Sequence, residues 1–435
     1  MTTCKFWMAA LAGILLLEGV AAGADAAAEA CRKGVSFFEK GDYESAIAAL
    51  TEAIGLDPKN AGAYCKRGHA YARKGDLDKA FVDADEAIRL DPKLALAYSV
   101  RGWAYAKQGN RDKSLADGNE AVRLDPKDAQ TFCLRGVCCQ YGGDFDKALA
   151  DYAEAIRIDP KYAEAYFSRG GAHHAKGERA QAILDYTEAI RLKASYAKAY
   201  YNRGRVYAET RDFVKAVADY TEAIRLDPKV AAAYYNRGIA YGKTDAADKA
   251  IADFSEAVRL NSKFAAAYVS RGIAYEKQGD LDRAIADYTE AIRLSPKHAN
   301  AYYGRGRAHG QMGEADDAIA DYTEALRLDP KRADAHYGRG RAYGSQGEYD
   351  QAIADYTEAI RLNPHSPDGY YGRGWVYAHK GEHDKAIADY TEAIRLDPKN
   401  PHVFFNRGWS HWKKGDAAAA AADFVRARKL AYKEE

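Results

Sequence analysis

Net charge is what this 435-residue sequence has least of: 64 Lys and Arg stand against 63 Asp and Glu, a formal +1. No basic excess is available to neutralise a phosphate backbone, so nucleic acid is not expected as a partner. Long apolar runs are also scarce. The longest, Phe6 to Leu17, falls short of the about 20 residues that span a bilayer. Six cysteines are present, and the five that follow Cys4 are an odd number without the dense spacing of a disulfide scaffold, so at least one thiol is unpaired. Only 11 prolines accompany an abundance of Ala, Leu, Ile, Glu, Lys and Arg, which excludes a disordered or all-strand chain and favours helix. Against these shortages, 33 tyrosines are conspicuous.

The first two dozen residues differ from the rest. Lys5 precedes the apolar run, and small residues end at Ala22-Gly23-Ala24 before Asp25. This is the layout of a secretory signal peptide. Residues 1–24 are read as that signal, removed after Ala24, and residues 25–435 as a mature chain exported to a bacterial periplasm or beyond, without membrane insertion.

Glycine then recurs at Gly34, Gly68, Gly102, Gly136, Gly170, Gly204, Gly238, Gly272, Gly306, Gly340, Gly374 and Gly408, each 34 residues after the last. Units begin at residues 27, 61, 95, 129, 163, 197, 231, 265, 299, 333, 367 and 401. With Ala27 as position 1, the eighth unit carries Tyr268 at 4, Gly272 at 8, Tyr275 at 11, Ala284 at 20, Tyr288 at 24, Ala291 at 27 and Pro296 at 32. Positions 4, 8 and 11 form one stripe of a first helix, and 20, 24 and 27 with 21 and 28 a broader stripe of a second. Gly-Asp, as in Gly279-Asp280, separates the two, and Asp-Pro-Lys, as in Asp329-Pro330-Lys331, ends the second. The turns are short, so the helices run antiparallel. A mid-helix glycine costs about 1 kcal/mol against alanine; its recurrence predicts close approach of the paired helices, with Ala284 facing Gly272.

Position 7 is Arg in every unit but the first, which has Lys33, and Asp at position 23 accompanies it throughout units 2 to 12, as Arg305 with Asp321; unit 1 has Ala49 there. A guanidinium turned toward the second helix needs an acid opposite, so an inter-helix ion pair is predicted in each of these units. Asp321 would otherwise face Glu324 as a like-charge neighbour on its own helix. Cys31 and Cys65 hold the same place in consecutive units, roughly 8 to 10 Å apart, beyond disulfide reach; Cys138 and Cys139 replace an Ala and a Tyr of the pattern. The cysteines are read as small buried hydrophobes. Ala194 and Ser262 replace the position-32 proline, and Arg211 and Asp245 the turn glycine, which marks units 5 to 7 as a candidate softer segment. Arg428 stands where other units have an aliphatic residue and reads as a polar cap.

This grammar resembles the tetratricopeptide repeat family. The resemblance implies an all-α solenoid of twelve antiparallel helix-turn-helix repeats in a right-handed superhelix. It further implies that positions 2, 5, 9, 12 and 13 of the first helices line a groove for protein or peptide partners. On that basis the groove-binding residues are Phe167, Tyr201, Tyr235, Tyr303, Tyr337, Tyr371 and Phe405 at position 5, Arg205, Arg307, Arg341, Trp375 and Trp409 at position 9, and Trp412 at position 12. Tyr, Trp and Arg carry most binding energy at interfaces. The competing reading is that the position-5 rings only pack against their neighbours. The family's clamp for chaperone-tail carboxylates uses Lys at position 5 and Asn at 9, neither of which occurs.

Motifs of catalysis fail on context. His379-Lys380-Gly381-Glu382-His383 imitates a zinc-protease pattern, yet Gly381 falls in the turn between helices. Gly304-Arg305-Gly306 with Gly310 lacks the strand that a dinucleotide site requires, and His173-His174 has no evident ligand-type partner. The expectation is a non-catalytic scaffold without cofactor or metal that binds extended protein or peptide segments for envelope assembly, with self-association left open. The alternative is carbohydrate binding in polysaccharide export, because aromatic rows also stack on sugars. N-terminal sequencing of secreted protein is expected to begin at Asp25; an intact Met1 on soluble protein would overturn the export reading.

Overall fold

A computed structural model describes residues 25–431. The expected signal segment, 1–24, lies outside the described residues. Those residues form 24 helices and no strand: one covering 25–40, then an unbroken alternation from Tyr43–Leu56 to Ala417–Ala431. None is long and apolar enough to cross a membrane. The chain divides into two compact units, Met1–Leu226 and Asp227–Glu435. Within each, a first helix pairs antiparallel with its second helix, which in turn packs on the first helix of the following repeat.

Local chemistry sets the boundaries. Asp76, Asp144 and Asp280 cap second helices by accepting the backbone N–H three residues on, from Lys79, Lys147 and Arg283. At the other end Asp329 leaves helical geometry before Pro330, and its carboxylate accepts the N–H of Lys331. The turn glycines adopt left-handed φ, +80° at Gly279. Arg211 and Asp245 keep that conformation at +62° and +55° without being glycine, a strained choice for an L-residue. The turn geometry is thus retained where its usual residue is lost.

Gly272 meets a nearer neighbour than the Ala284 expected to face it. A Cβ there would sit 2.9 Å from the Tyr288 ring, while in sister units the backbone of the position-20 residue also faces the glycine, as Ala80 does at 3.2 Å from a Cβ on Gly68. Tyr288 is fully buried and is pressed from the next repeat too, where a Cβ on Gly304 would lie 2.6 Å away. In unit 9 the close approach involves the Asp321 Cβ at 3.1 Å and the Ala318 carbonyl oxygen at 3.2 Å from a Cβ on Gly306. Position 8 is therefore glycine because it receives the position-24 ring and the backbone of the facing helix; the alanine at position 20 is buried beside that contact.

The predicted ion pair is present in units 2 to 12. Arg305 donates from Nε to Asp321 Oδ2 and from Nη2 to Oδ1, both at 2.8 Å, and Arg67–Asp83, Arg203–Asp219 and Arg407–Asp423 repeat the two-pronged geometry. Asp321 is 5% exposed, and Glu324 on the same helix is neutralised separately by Arg327 at 2.6 Å. The third arm of the guanidinium was not foreseen: Arg305 Nη1 donates to Thr289 Oγ1 of the preceding repeat at 3.0 Å. Arg67 reaches Thr51, Arg101 Asp85, Arg135 Asn119, Arg271 Ser255 and Arg407 Thr391 in the same way. Tyrosines at positions 4 and 11 flank the cation, at 5.5 and 5.9 Å in the case of Arg271 between Tyr268 and Tyr275.

Breaking a buried pair from one side costs about 3 kcal/mol or more, whereas replacing both partners with apolar groups is near neutral. Arg305→Leu is expected to destabilise more than Arg305→Leu combined with Asp321→Leu. Denaturant unfolding of the two variants checks this, and strictly additive losses would refute the coupling.

Candidate interaction surface

The first helices present positions 5, 9, 12 and 13 on one face, and the residues there differ along the chain. In units 1 to 4 position 5 is Cys31, Cys65, Ser99 and Cys133. No disulfide joins the described cysteines, and four of the five are buried. Burial pushes the thiols of Cys65, Cys133 and Cys138 up to about 12, so they remain protonated at neutral pH, as inert small hydrophobes do.

Those small residues accompany a surface already filled by the chain itself. His69 lies between Phe38 and Trp103, ring centroids 4.6 and 6.0 Å away. Arg73 donates to His69 Nε2 at 3.3 Å, stacks over Trp103 at 5.3 Å, and reaches Glu164 of the fifth repeat at 3.7 Å. Burial, reinforced by Arg73 and Lys66, holds the His69 imidazole well below its usual range, so it is neutral. Sequence reasoning missed this closure. Its signal was available in the row of small side chains at position 5 and the opposite charges of Arg73 at position 13 and Glu164 at position 2.

From unit 5 onward position 5 is aromatic in every unit but the eighth, which has the buried Val269, and the rings pack against neighbouring side chains. Phe167, Tyr201, Tyr235, Tyr303, Tyr337 and Tyr371 are each half-buried, with centroids 5.7 to 6.0 Å from the second-helix ring of their own unit. Arg205 and Arg341 are exposed. Arg307 is engaged internally: its Nη2 donates to Glu276 at 2.7 Å, and Gln311 Nε2 donates to the same carboxylate at 2.7 Å. These three line a shallow concavity of about 290 Å³ with Ile273 and Lys277. Trp375 is half-buried with its ring 3.7 Å from that of His379, so it contributes packing as well as surface.

The last unit differs. Phe405, Trp409 and Trp412 are 50, 45 and 56% exposed. The two indoles meet edge to face at 5.2 Å, and Lys413 Nζ lies 4.7 and 5.3 Å from their centroids. Spacings of four and three residues bring them to one face of Pro401–Lys413. The predicted surface is thus not uniform: its aromatics are half-used for packing in most units and exposed together only here.

Two motif readings are resolved by the helices. His379 ends Pro367–His379 and His383 begins His383–Leu396, so the zinc-protease spacing does not fall on one helix. His173 and His174, by contrast, do have partners: Glu178 at 2.5 Å and Glu209 at 2.8 Å. Glu209 belongs to the following repeat, a contact invisible in linear sequence.

Fold and surface together define a helical-repeat scaffold. Tetratricopeptide repeat profiles match residues 235–299, 269–333, 303–343 and 337–401, with further matches at 197–230, 61–94 and 95–128, and a TPR repeat profile matches 34–75, 141–177 and 170–210. The chain belongs to the tetratricopeptide repeat family. No curated protein matches it. Among solved structures, MamA is 31% identical over 38% of this chain and 95% of its own, at a TM-score of 0.36. YrrB, described as a TPR protein with an unusual peptide-binding site, is 23% identical over 41 and 92%, at 0.37. The Cut9–Hcn1 assembly of the APC/C is 16% identical over 92 and 93%, at 0.46.

Proposed function

We propose that the chain is a protein-binding scaffold whose principal recognition surface is the aromatic face of Pro401–Lys413. The observation that carries this reading is the joint exposure of Phe405, Trp409 and Trp412, large side chains that are rarely left together in water without a partner. An extended peptide with an apolar anchor would cover the indoles, and an acidic neighbour would meet Lys413, whose ammonium already lies over both rings. The concavity at Ile273, Lys277 and Arg307 offers a second, more polar point of attachment. With residues 1–24 acting as an export signal, the partner would be an envelope protein, and the scaffold would serve its assembly.

The test uses the chain from Asp25 onward, labelled and applied to peptide and glycan arrays. Peptide binding is expected, and Trp409→Ala with Trp412→Ala should weaken it about tenfold, the equivalent of ~1.4 kcal/mol, with stability changed by only about 0.5 kcal/mol as befits exposed positions. Trp375→Ala should cost more stability than either because its ring packs on His379. Binding to glycans alone would establish the carbohydrate alternative; unchanged peptide affinity in the double variant would remove this face as the binding surface.

A further inference from the structure

The turn between the paired helices holds a repeated side-chain cation. Lys79 lies over Tyr71 at 5.3 Å, Lys215 over Tyr207 at 5.3 Å, Arg283 over Tyr275 at 4.8 Å and Lys385 over Tyr377 at 5.2 Å. Each also pairs with the acid three residues before it: Asp76 at 2.8 Å, Asp212 at 2.8 Å, Asp280 at 2.5 Å and Glu382 at 2.6 Å. Position 19 thus supplies a positive charge held between the ring of position 11 and the carboxylate of position 16.

Unit 9 keeps the acid and exchanges the other two members. His309 replaces the tyrosine, Asp317 replaces the cation, and Glu314 is the acid. The lysine that other units carry at position 14, such as Lys176 or Lys380, is here Met312. His309 Nδ1 lies 2.5 Å from Glu314 Oε2, and one ligand atom from each of His309, Glu314 and Asp317 falls within 4.8 Å of the others. Where sister repeats place an ammonium or guanidinium, this one assembles an imidazole nitrogen and two carboxylates. On the far side of the ring Nε2 lies 3.9 Å from Asp321 Oδ2, beyond hydrogen-bond distance, and that acid is held by Arg305. A metal ion would take the place of the proton that Nδ1 and Glu314 share at 2.5 Å.

We propose that His309, Glu314 and Asp317 bind a divalent transition-metal ion, Zn²⁺ by the chemistry of one nitrogen and two oxygen donors with a remaining position for water. Glu314 and Asp317 are exposed, so the ion enters from solvent without opening the fold. The fifth repeat is an internal control. His173 contacts Glu178 at 2.5 Å and faces Asp185 at 3.8 Å in the same manner, but Gln181 stands in place of the second carboxylate and Lys176 lies 3.2 Å from Glu178. The competing account is that Glu314 and Asp317 only complement the N-terminal dipole of Ala315–Leu328.

The experiment titrates the untagged chain from Asp25 onward with zinc sulfate by calorimetry, beside His309→Tyr/Asp317→Lys, which installs the ring and cation of the sister repeats and so suits the fold; circular dichroism checks helicity. The wild type is expected to bind one more equivalent than the double variant, and Asp317→Asn to bind at that site about tenfold more weakly, while His173→Tyr leaves the stoichiometry unchanged. Equal zinc stoichiometry in the wild type and the double variant, or no uptake by the wild type, overturns the proposal, as does an Asp317→Asn variant that loses thermal stability without losing zinc.

Discussion

The guanidinium at position 7 is the contact on which the repeat depends. In most units it joins three helices at once: its own, the second helix of its unit through Asp at position 23, and the second helix of the preceding unit through the residue at position 25, as Arg305 does with Asp321 and Thr289; Arg169, with Ala153 at that place, keeps the pair with Asp185. A planar cation with fixed donor directions constrains relative position in a way that apolar contacts do not. A buried pair adds little net stability against an apolar substitute, so its value here is geometric: it sets the register within a unit and between units. The rest of the consensus follows from it. Glycine at position 8 brings the facing Asp Cβ to about van der Waals contact, and tyrosines at positions 4 and 11 enclose the cation. The tyrosine abundance is thus largely structural.

A scaffold determined by nearest-neighbour contacts leaves the remaining positions free to vary. Positions 5, 9, 12 and 13 use that freedom in opposite ways. Near the N-terminus small residues at position 5 accompany a self-filled surface, with Arg73 of the second repeat meeting Glu164 of the fifth. In the last unit Phe405, Trp409 and Trp412 are left to solvent. The same freedom allows a single repeat to exchange a stacked cation for a cluster of donors at His309, Glu314 and Asp317 without altering its helices.

Periodicity made most of the fold legible before any coordinates. The spacing of glycines located every unit, the proline and glycine turns located the helix ends, and the joint occurrence of Arg and Asp at positions 7 and 23 revealed an ion pair because a guanidinium facing another helix must be compensated. The position-25 acceptor was harder to see, since it is variously Thr, Asp, Asn or Ser and in unit 4 is lost to Ala153, so that it is defined by what it accepts, not by residue type. The ring that lies closest to Gly272 was missed for a related reason: periodicity gives the face a residue occupies, but not the reach of a ring from one turn further along the helix.

What sequence determined alone was everything repeated twelve times, because a constraint imposed by identical local neighbours leaves an identical mark at each occurrence. What only the tertiary structure decided was the use of the residues that do not repeat. Phe167 and Phe405 occupy equivalent positions in the linear pattern, yet one is half-buried beneath neighbouring rings and the other is half in water. His174 finds its partner 35 residues away in Glu209. Burial depends on which side chains stand on both adjoining repeats and on how closely their first helices approach, and those distances exist only once the chain has folded.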